Sequence, residues 1–195
     1  FFEGLPDGHP IPYGVWVAPL VWWVAVAGAI IWVCLCIAVL LRRQWVEHEK
    51  LVYPADSTEP VAYQGAAGIG ALLEQIAAAG YSVVREAPDS PAIALTRGKA
   101  TISLEPGGQL ELSGTPGATA RQAHAENLAH LAEVKAVARS LGLRLVALGY
   151  RPFGTVETMP WMPKTRYQVM RQTLGARGPM ALQMMLMTAT GQVSM

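Results

Sequence analysis

The chain has 195 residues, with 15 lysines and arginines against 14 aspartates and glutamates, a formal net charge of +1. That length holds one ordinary domain and a modest extra segment, and the near-neutral balance gives no electrostatic footprint for a nucleic-acid partner. Two cysteines, Cys34 and Cys36, lack the second pair that a disulfide framework or a metal knuckle needs. The 52% hydrophobic content is unevenly placed, since five of the six tryptophans precede residue 46. Phe1 at one end and a strand-like stretch running into Met195 at the other read as a fragment at both ends.

Residues 1–14 are rich in proline and glycine and read as a loop. Residues 15–41 run without a charged side chain, and about 20 apolar residues suffice to cross a bilayer core. A transmembrane helix over 15–44 is the expectation, with the membrane met through residues 15–41. Trp16, Trp22 and Trp23 lie toward one end and Trp45 beyond the other, as interfacial aromatics do. Arg42 and Arg43 follow at once, so the positive-inside rule puts the rest of the chain in the cytoplasm.

Composition changes over residues 42–55. Glu47 and Glu49 are two apart and share a face only if the backbone is extended; otherwise the EHEK run is a solvated charge cluster. Residues 65–79 have helical spacing at Leu72, Leu73 and Ile76, with Gly80 as a stop. Strands are expected at 81–86 and 92–97. A long helix follows over 118–141, its stripe carried by Leu128, Leu131, Val134, Ala138 and Leu141. His124 and His130, six apart on it, read as solvated. A strand over 144–150, a proline-rich loop over 152–163 and a helix over 164–174 come next. Lys164 and Arg166 are expected as exposed cations in the first turn of that helix, against its macrodipole, a placement compatible with a ligand or with plain surface. The methionines of the last segment read as core filler, and its end alternates Thr188, Thr190, Gln192 and Ser194.

The most informative stretch is SLEPGGQLELSG, residues 103–114. Alternation puts Ile102 and Leu104 on one face of a strand, and Leu110 and Leu112 do the same across a Pro-Gly-Gly turn. The other face carries Glu105, Glu111, the Gln109 amide and hydroxyls. Such a face is either solvent surface or the floor of a cation site.

EHEK at 47–50, GKATISLEPGGQLELSG at 98–114, MPWMPKTRYQVM at 159–170 and MMLMTATGQVSM at 184–195 occur in an order that resembles the plant and proteobacterial type of glutamate–cysteine ligase. The resemblance covers about residues 45–195. It implies an α+β fold, a mostly antiparallel sheet with helices on one face, as part of a glutamine-synthetase-like ligase domain. It also implies ATP-dependent joining of glutamate to the amine of cysteine, with Mg2+ as cofactor and ATP as a substrate. Carried over residue by residue, Glu47, Glu49, Glu105 and Glu111 would be metal-binding carboxylates. Lys164 and Arg166 would serve catalysis, and Thr190 and Gln192 would lie near substrate. The resemblance implies that many relatives carry arginine where Met187 stands. The LLRRQWVE segment is similar instead to large bacterial membrane proteins, so two unrelated pieces meet near residues 44–50. The competing reading is an inactive, membrane-anchored fragment or chimera.

Overall fold

The computed structural model describes residues 13–40, 45–117 and 119–194. The chain divides into two compact units, Phe1–Arg42 and Arg43–Met195. In the first, helix α1 spans Tyr13–Leu40, 28 residues with no charged side chain. Its described side chains are residues 21–37, and Trp22, Trp23, Ile30, Trp32 and Leu35 are all more than half exposed. Among the described residues no helix is long and apolar enough to cross a membrane. The expected loop over 1–14, for residues 1–12, and Arg42, Arg43 and Gln44 lie outside the described residues.

The second unit is an α+β domain. Its strands are β1 (Trp45–Pro54), β2 (Ser82–Arg85), β3 (Ala92–Arg97), β4 (Ala100–Leu104), β5 (Leu110–Ser113), β6 (Leu143–Val146) and β7 (Gly191–Ser194). Helices α2 (Ile69–Ala77), α3 (Ala120–Ser140), α4 (Thr165–Gly175) and α5 (Pro179–Met187) lie among them. The strands form one sheet in the order β2-β3-β4-β5-β1-β6, with β7 also on β1. Every strand pair is antiparallel. Glu47 and His48 pair with both β5 and β7, so β1 is central there.

Alternation decides which face each strand residue meets. Val52, Leu95, Ile102, Leu104, Leu110 and Leu112 join Ile69, Leu72, Leu73 and Ile76 of α2 and Val134 and Ala138 of α3 in one core. Each valine, leucine or isoleucine side chain among them, fully buried, contributes about 1.5–3 kcal/mol. Gly80 and Gly142 end α2 and α3 with φ of 92° and 67°, the left-handed conformation that glycine adopts without a Cβ clash. The opposite face is polar along β4, β5 and the first half of β1. Farther along β1 it carries Leu51 and Tyr53, packed with Ala189 and Val146.

Three expectations are corrected. The expected stripe of α3 holds at Val134 and Ala138, which are buried, but Leu128 is 53% exposed, and Ala123 and His130 turn inward beside them. His130 is therefore buried rather than solvated. Lys164 is the N-cap residue of α4 and is buried, not an exposed first-turn cation. The final segment resolves into α5 followed by β7.

Candidate metal and substrate site

Because β1 is extended through Trp45–Pro54, Glu47 and Glu49 share the polar face. Register sets their neighbours. Glu49 lies opposite Glu111, Glu47 opposite Ser113 and Gln192, and Glu111 opposite Ser103 on its other side. Glu105 follows β4 directly and opens the turn to β5: its N–H donates to the Gln109 carbonyl at 2.9 Å and its carbonyl accepts from Gly108 N–H at 2.9 Å. All four carboxylates are half-buried.

Their hydrogen bonds are local. Thr190 Oγ1 donates to Glu49 Oε1 at 2.9 Å, and Gln192 Nε2 donates to Thr190 Oγ1 at 3.1 Å. Ser113 Oγ donates to Glu111 Oε1 at 2.7 Å, and Trp45 Nε1 to Glu47 Oε1 at 3.4 Å. Arg166 Nη2 stands 3.9 Å from Glu105 Oε1 while its side chain stays 63% exposed. Burial pushes the Glu105 carboxyl up to about 7, Glu111 adds to the rise, and Lys164 and Arg166 act against it. Burial likewise raises Glu49, with Glu111 and Glu47 contributing and the Thr190 bonds opposing.

Lys164 is held differently. Its Nζ donates to the Leu104 carbonyl at 2.6 Å, the same oxygen that Tyr167 Oη reaches at 2.6 Å. Burial, then Arg166, lowers its pKa, and Glu105 and Glu111 resist that shift. Lys164 is thus a buried cation beneath the carboxylates, and Arg166 a solvent-facing one at their rim. The structure brings Glu49, Glu111, Thr190 and Gln192 together by register and hydrogen bonds. Glu105 and Arg166 join from the turn and α4, and Glu47 sits at the margin beside Gln192.

The donors on this face are carboxylate and hydroxyl oxygens, the ligand type magnesium takes, and the proton affinity of Glu105 and Glu49 rises first through burial and then because carboxylates lie near one another. Among the described residues no three carboxylate, imidazole or thiol groups converge closely enough to hold a metal. The local partners explain this, since each carboxylate is turned toward Thr190, Ser113, Trp45 or Arg166.

Several residues of the site were not singled out from sequence. Tyr167 anchors Leu104 and accepts from Arg166 Nη2 at 3.2 Å. Gln109 is buried and its Nε2 donates to the carbonyls of Thr188 at 2.7 Å and Met185 at 3.3 Å, fixing the end of α5 against the hairpin. Lys50 and His48 occupy the core face of β1. Lys50 is 1% exposed, its Nζ donates to the His48 carbonyl at 2.6 Å, and burial lowers it to about 7. The signal existed: if Glu47 and Glu49 share the polar face, His48 and Lys50 must share the other.

Fold and site together define an α+β domain whose antiparallel sheet buries one face under helices and gathers acids and cations on the other. Glutamate-cysteine ligase family 2 (GCS2) matches residues 45–195, and the chain belongs to that family. Chloroplastic glutamate–cysteine ligases are among its relatives. The Brassica juncea protein is 40% identical over 157 residues, 79% of this chain and 30% of the relative. The Arabidopsis thaliana protein is 40% identical over 153 residues, 78% and 28%. Ligase A of Oryza sativa subsp. japonica is 38% identical over 158 residues, 79% and 31%. The chain therefore spans about 30% of the length of these relatives. A family of unknown function (DUF6785) matches residues 1–56, overlapping the ligase match from residue 45.

Proposed function

We propose that residues 45–195 form part of a ligase that joins the side-chain carboxylate of glutamate to the amine of cysteine at the expense of ATP. The observation that carries the reading is the facing of Glu49 and Glu111 in a family whose relatives are named for this reaction. In that chemistry a glutamate carboxylate oxygen displaces ADP from the γ-phosphoryl group, giving an acyl phosphate. The cysteine amine then attacks the acyl carbon, phosphate leaves, and the amine's proton passes to solvent or a basic group.

Glu49, Glu105 and Glu111, with Glu47 at the margin, would hold Mg2+, which when bound neutralises polyphosphate charge. Arg166, exposed beside Glu105, offers guanidinium donors to a phosphate or carboxylate at the rim. Lys164 contributes a fixed buried positive charge beneath Glu105 and Glu111. Thr190 and Gln192 orient the Glu49 carboxylate through their relay of hydrogen bonds, and their exposed side chains are available to substrate.

The test is formation of γ-glutamylcysteine from isotopically labelled glutamate, with ATP and Mg2+, by the chain and by its Glu111→Gln variant. Product from the wild type and none from the variant supports the reading. Failure of the wild type both to form product and to be protected from heat by Mg·ATP sinks it for this chain, leaving the inert-fragment alternative.

We also propose that residues 15–41 anchor the chain, with the ligase part on the cytoplasmic side. Support comes from 27 successive residues without a charge, followed by Arg42 and Arg43. Release of the full chain from membranes by alkaline carbonate would refute the anchor.

A further inference from the structure

Gln109 sits between the Pro-Gly-Gly turn and β5 and is 1% exposed. Its main chain holds the turn, since its carbonyl accepts from the Glu105 N–H at 2.9 Å. Its side chain leaves the hairpin altogether. Nε2 donates to the carbonyls of Met185 at 3.3 Å and Thr188 at 2.7 Å, where α5 ends. The last carbonyls of a helix have no partner within it. Here Thr188 Oγ1 meets that of Met184 and the Arg151 N–H that of Met187, so Gln109 supplies two that would otherwise go without. The Leu186 carbonyl lies against Gly107, so close that a Cβ there would collide.

Burial alone does not account for an amide at this position. Gln109 Oε1 is buried and makes no hydrogen bond with any described residue. A buried acceptor left unpaired carries a cost that an apolar side chain of the same length avoids. What the amide adds is two N–H donors at one fixed reach. They hold the chain two residues before Thr190, whose Oγ1 donates to Glu49 Oε1 at 2.9 Å and whose carbonyl accepts from the Glu49 N–H at 2.9 Å. Gln109 thus bonds the Glu105 turn through its main chain, and through its side chain the segment that carries the partner of Glu49.

Magnesium demands near-octahedral oxygen ligands at about 2.0–2.1 Å, whereas calcium takes about six to eight at about 2.3–2.6 Å in flexible geometries. A face whose carboxylates come from separate strands and a turn favours the smaller ion only while those pieces keep their spacing. We propose that Gln109 is a positioning residue that sets the spacing of Glu105 and Glu49 and, through it, the preference of this face for magnesium over calcium. The proposal rests on the reading of the face as a metal site and adds to it a residue that touches no metal. Residues that orient metal ligands from outside the coordination shell alter affinity by about 10–100-fold.

The experiment is calorimetric titration of Mg2+ and, separately, Ca2+ into the full chain in detergent, without nucleotide. The wild type should bind Mg2+ more tightly than Ca2+. Gln109→Met keeps the length and removes both donors, so Mg2+ should bind about 10–100-fold more weakly and Ca2+ less than about threefold more weakly. Gln109→Asn, whose amide stops one methylene short, should shift the ratio in the same direction. So should Gly107→Ala, which pushes the turn off the Leu186 carbonyl with Gln109 intact. Ile76→Val, a core change in α2, should leave the ratio as in the wild type. If Gln109→Met does not fold, the other variants decide. A ratio unchanged in the folded variants, a ratio changed equally by Ile76→Val, or Ca2+ bound as tightly as Mg2+ by the wild type overturns the role of Gln109 while the metal reading stands. No saturable binding of either ion by the wild type overturns both.

Discussion

Glu49 and Glu111 face each other across neighbouring antiparallel strands, two carboxylates at directly opposed register positions. Like charges in that relation destabilise a sheet. Around them the sheet supplies hydroxyl and amide donors from Thr190, Ser113 and Gln192, with the ammonium of Lys164 buried below. The pair thus opposes local stability, a cost that the proposed cation would relieve.

Replacing Glu111 by Gln keeps an oxygen to accept from Ser113 and removes one of the two facing charges. Without divalent cation, the variant should be more stable than the wild type by about 0.2–1 kcal/mol. Urea unfolding in chelator measures this. A clear loss of stability would mean that Glu111 is held by a compensating charge.

Removal of the Tyr167 hydroxyl tests the anchor below the site. Tyr167→Phe deletes one of two donors to the Leu104 carbonyl, and Lys164 Nζ still occupies that oxygen. The expected cost is about 0.5–1.5 kcal/mol, the net worth of an ordinary hydrogen bond. A loss of 3 kcal/mol or more in the same unfolding assay would contradict the shared-acceptor account.

The hairpin turn packs tightly as well as turning. A Cβ on Gly107 would collide with the Leu186 carbonyl, where α5 ends. Gly107→Ala should lower stability by about 1–3 kcal/mol through forced repacking and speed protease cleavage within residues 175–187. An unchanged digestion pattern would show that α5 does not depend on the turn.

Acid sensitivity has a definite sign. His130 is buried, and neither ring nitrogen has a hydrogen-bond partner among the described residues; burial, then Lys50, His48 and Arg97, lowers its pKa to about 3. Between about 3 and 6.5 the unfolded chain binds a proton that the folded chain refuses. Stability from this group is therefore full above about 6.5 and lost as pH falls toward 3. His130→Leu should flatten that limb of the curve and gain about 1–2 kcal/mol at pH 7 by removing unsatisfied buried nitrogens. Equal acid slopes for wild type and variant would rule His130 out as the source.

Much of the sheet was legible because its alternation is local. Ile102, Leu104, Leu110 and Leu112 announce the hairpin, and β3 falls on the expected residues 92–97. The placement of Glu47 and Glu49 on one face needed only the extended backbone that β1 supplies. His130 and Lys164 were misjudged because their burial depends on which side of α3 meets the sheet and on the Leu104 carbonyl, contacts remote in sequence. For α3, the stripe was right at Val134 and Ala138 and wrong at Leu128, since the smaller Ala123 turns inward with them where α3 meets β1 and β6. Gln109 was placed by alternation on the polar face with Glu111 and Ser113 but is buried, because its amide bonds the end of α5, 79 residues away in sequence.

The most direct measurement of the central claim is calorimetric titration of Mg2+ into the full chain and its Glu49→Gln, Glu105→Gln and Glu111→Gln variants. Saturable binding by the wild type, weakened at least tenfold in each variant, is the predicted result. Binding of equal strength in all four proteins, or none by the wild type, would contradict the assignment of this face as a metal site.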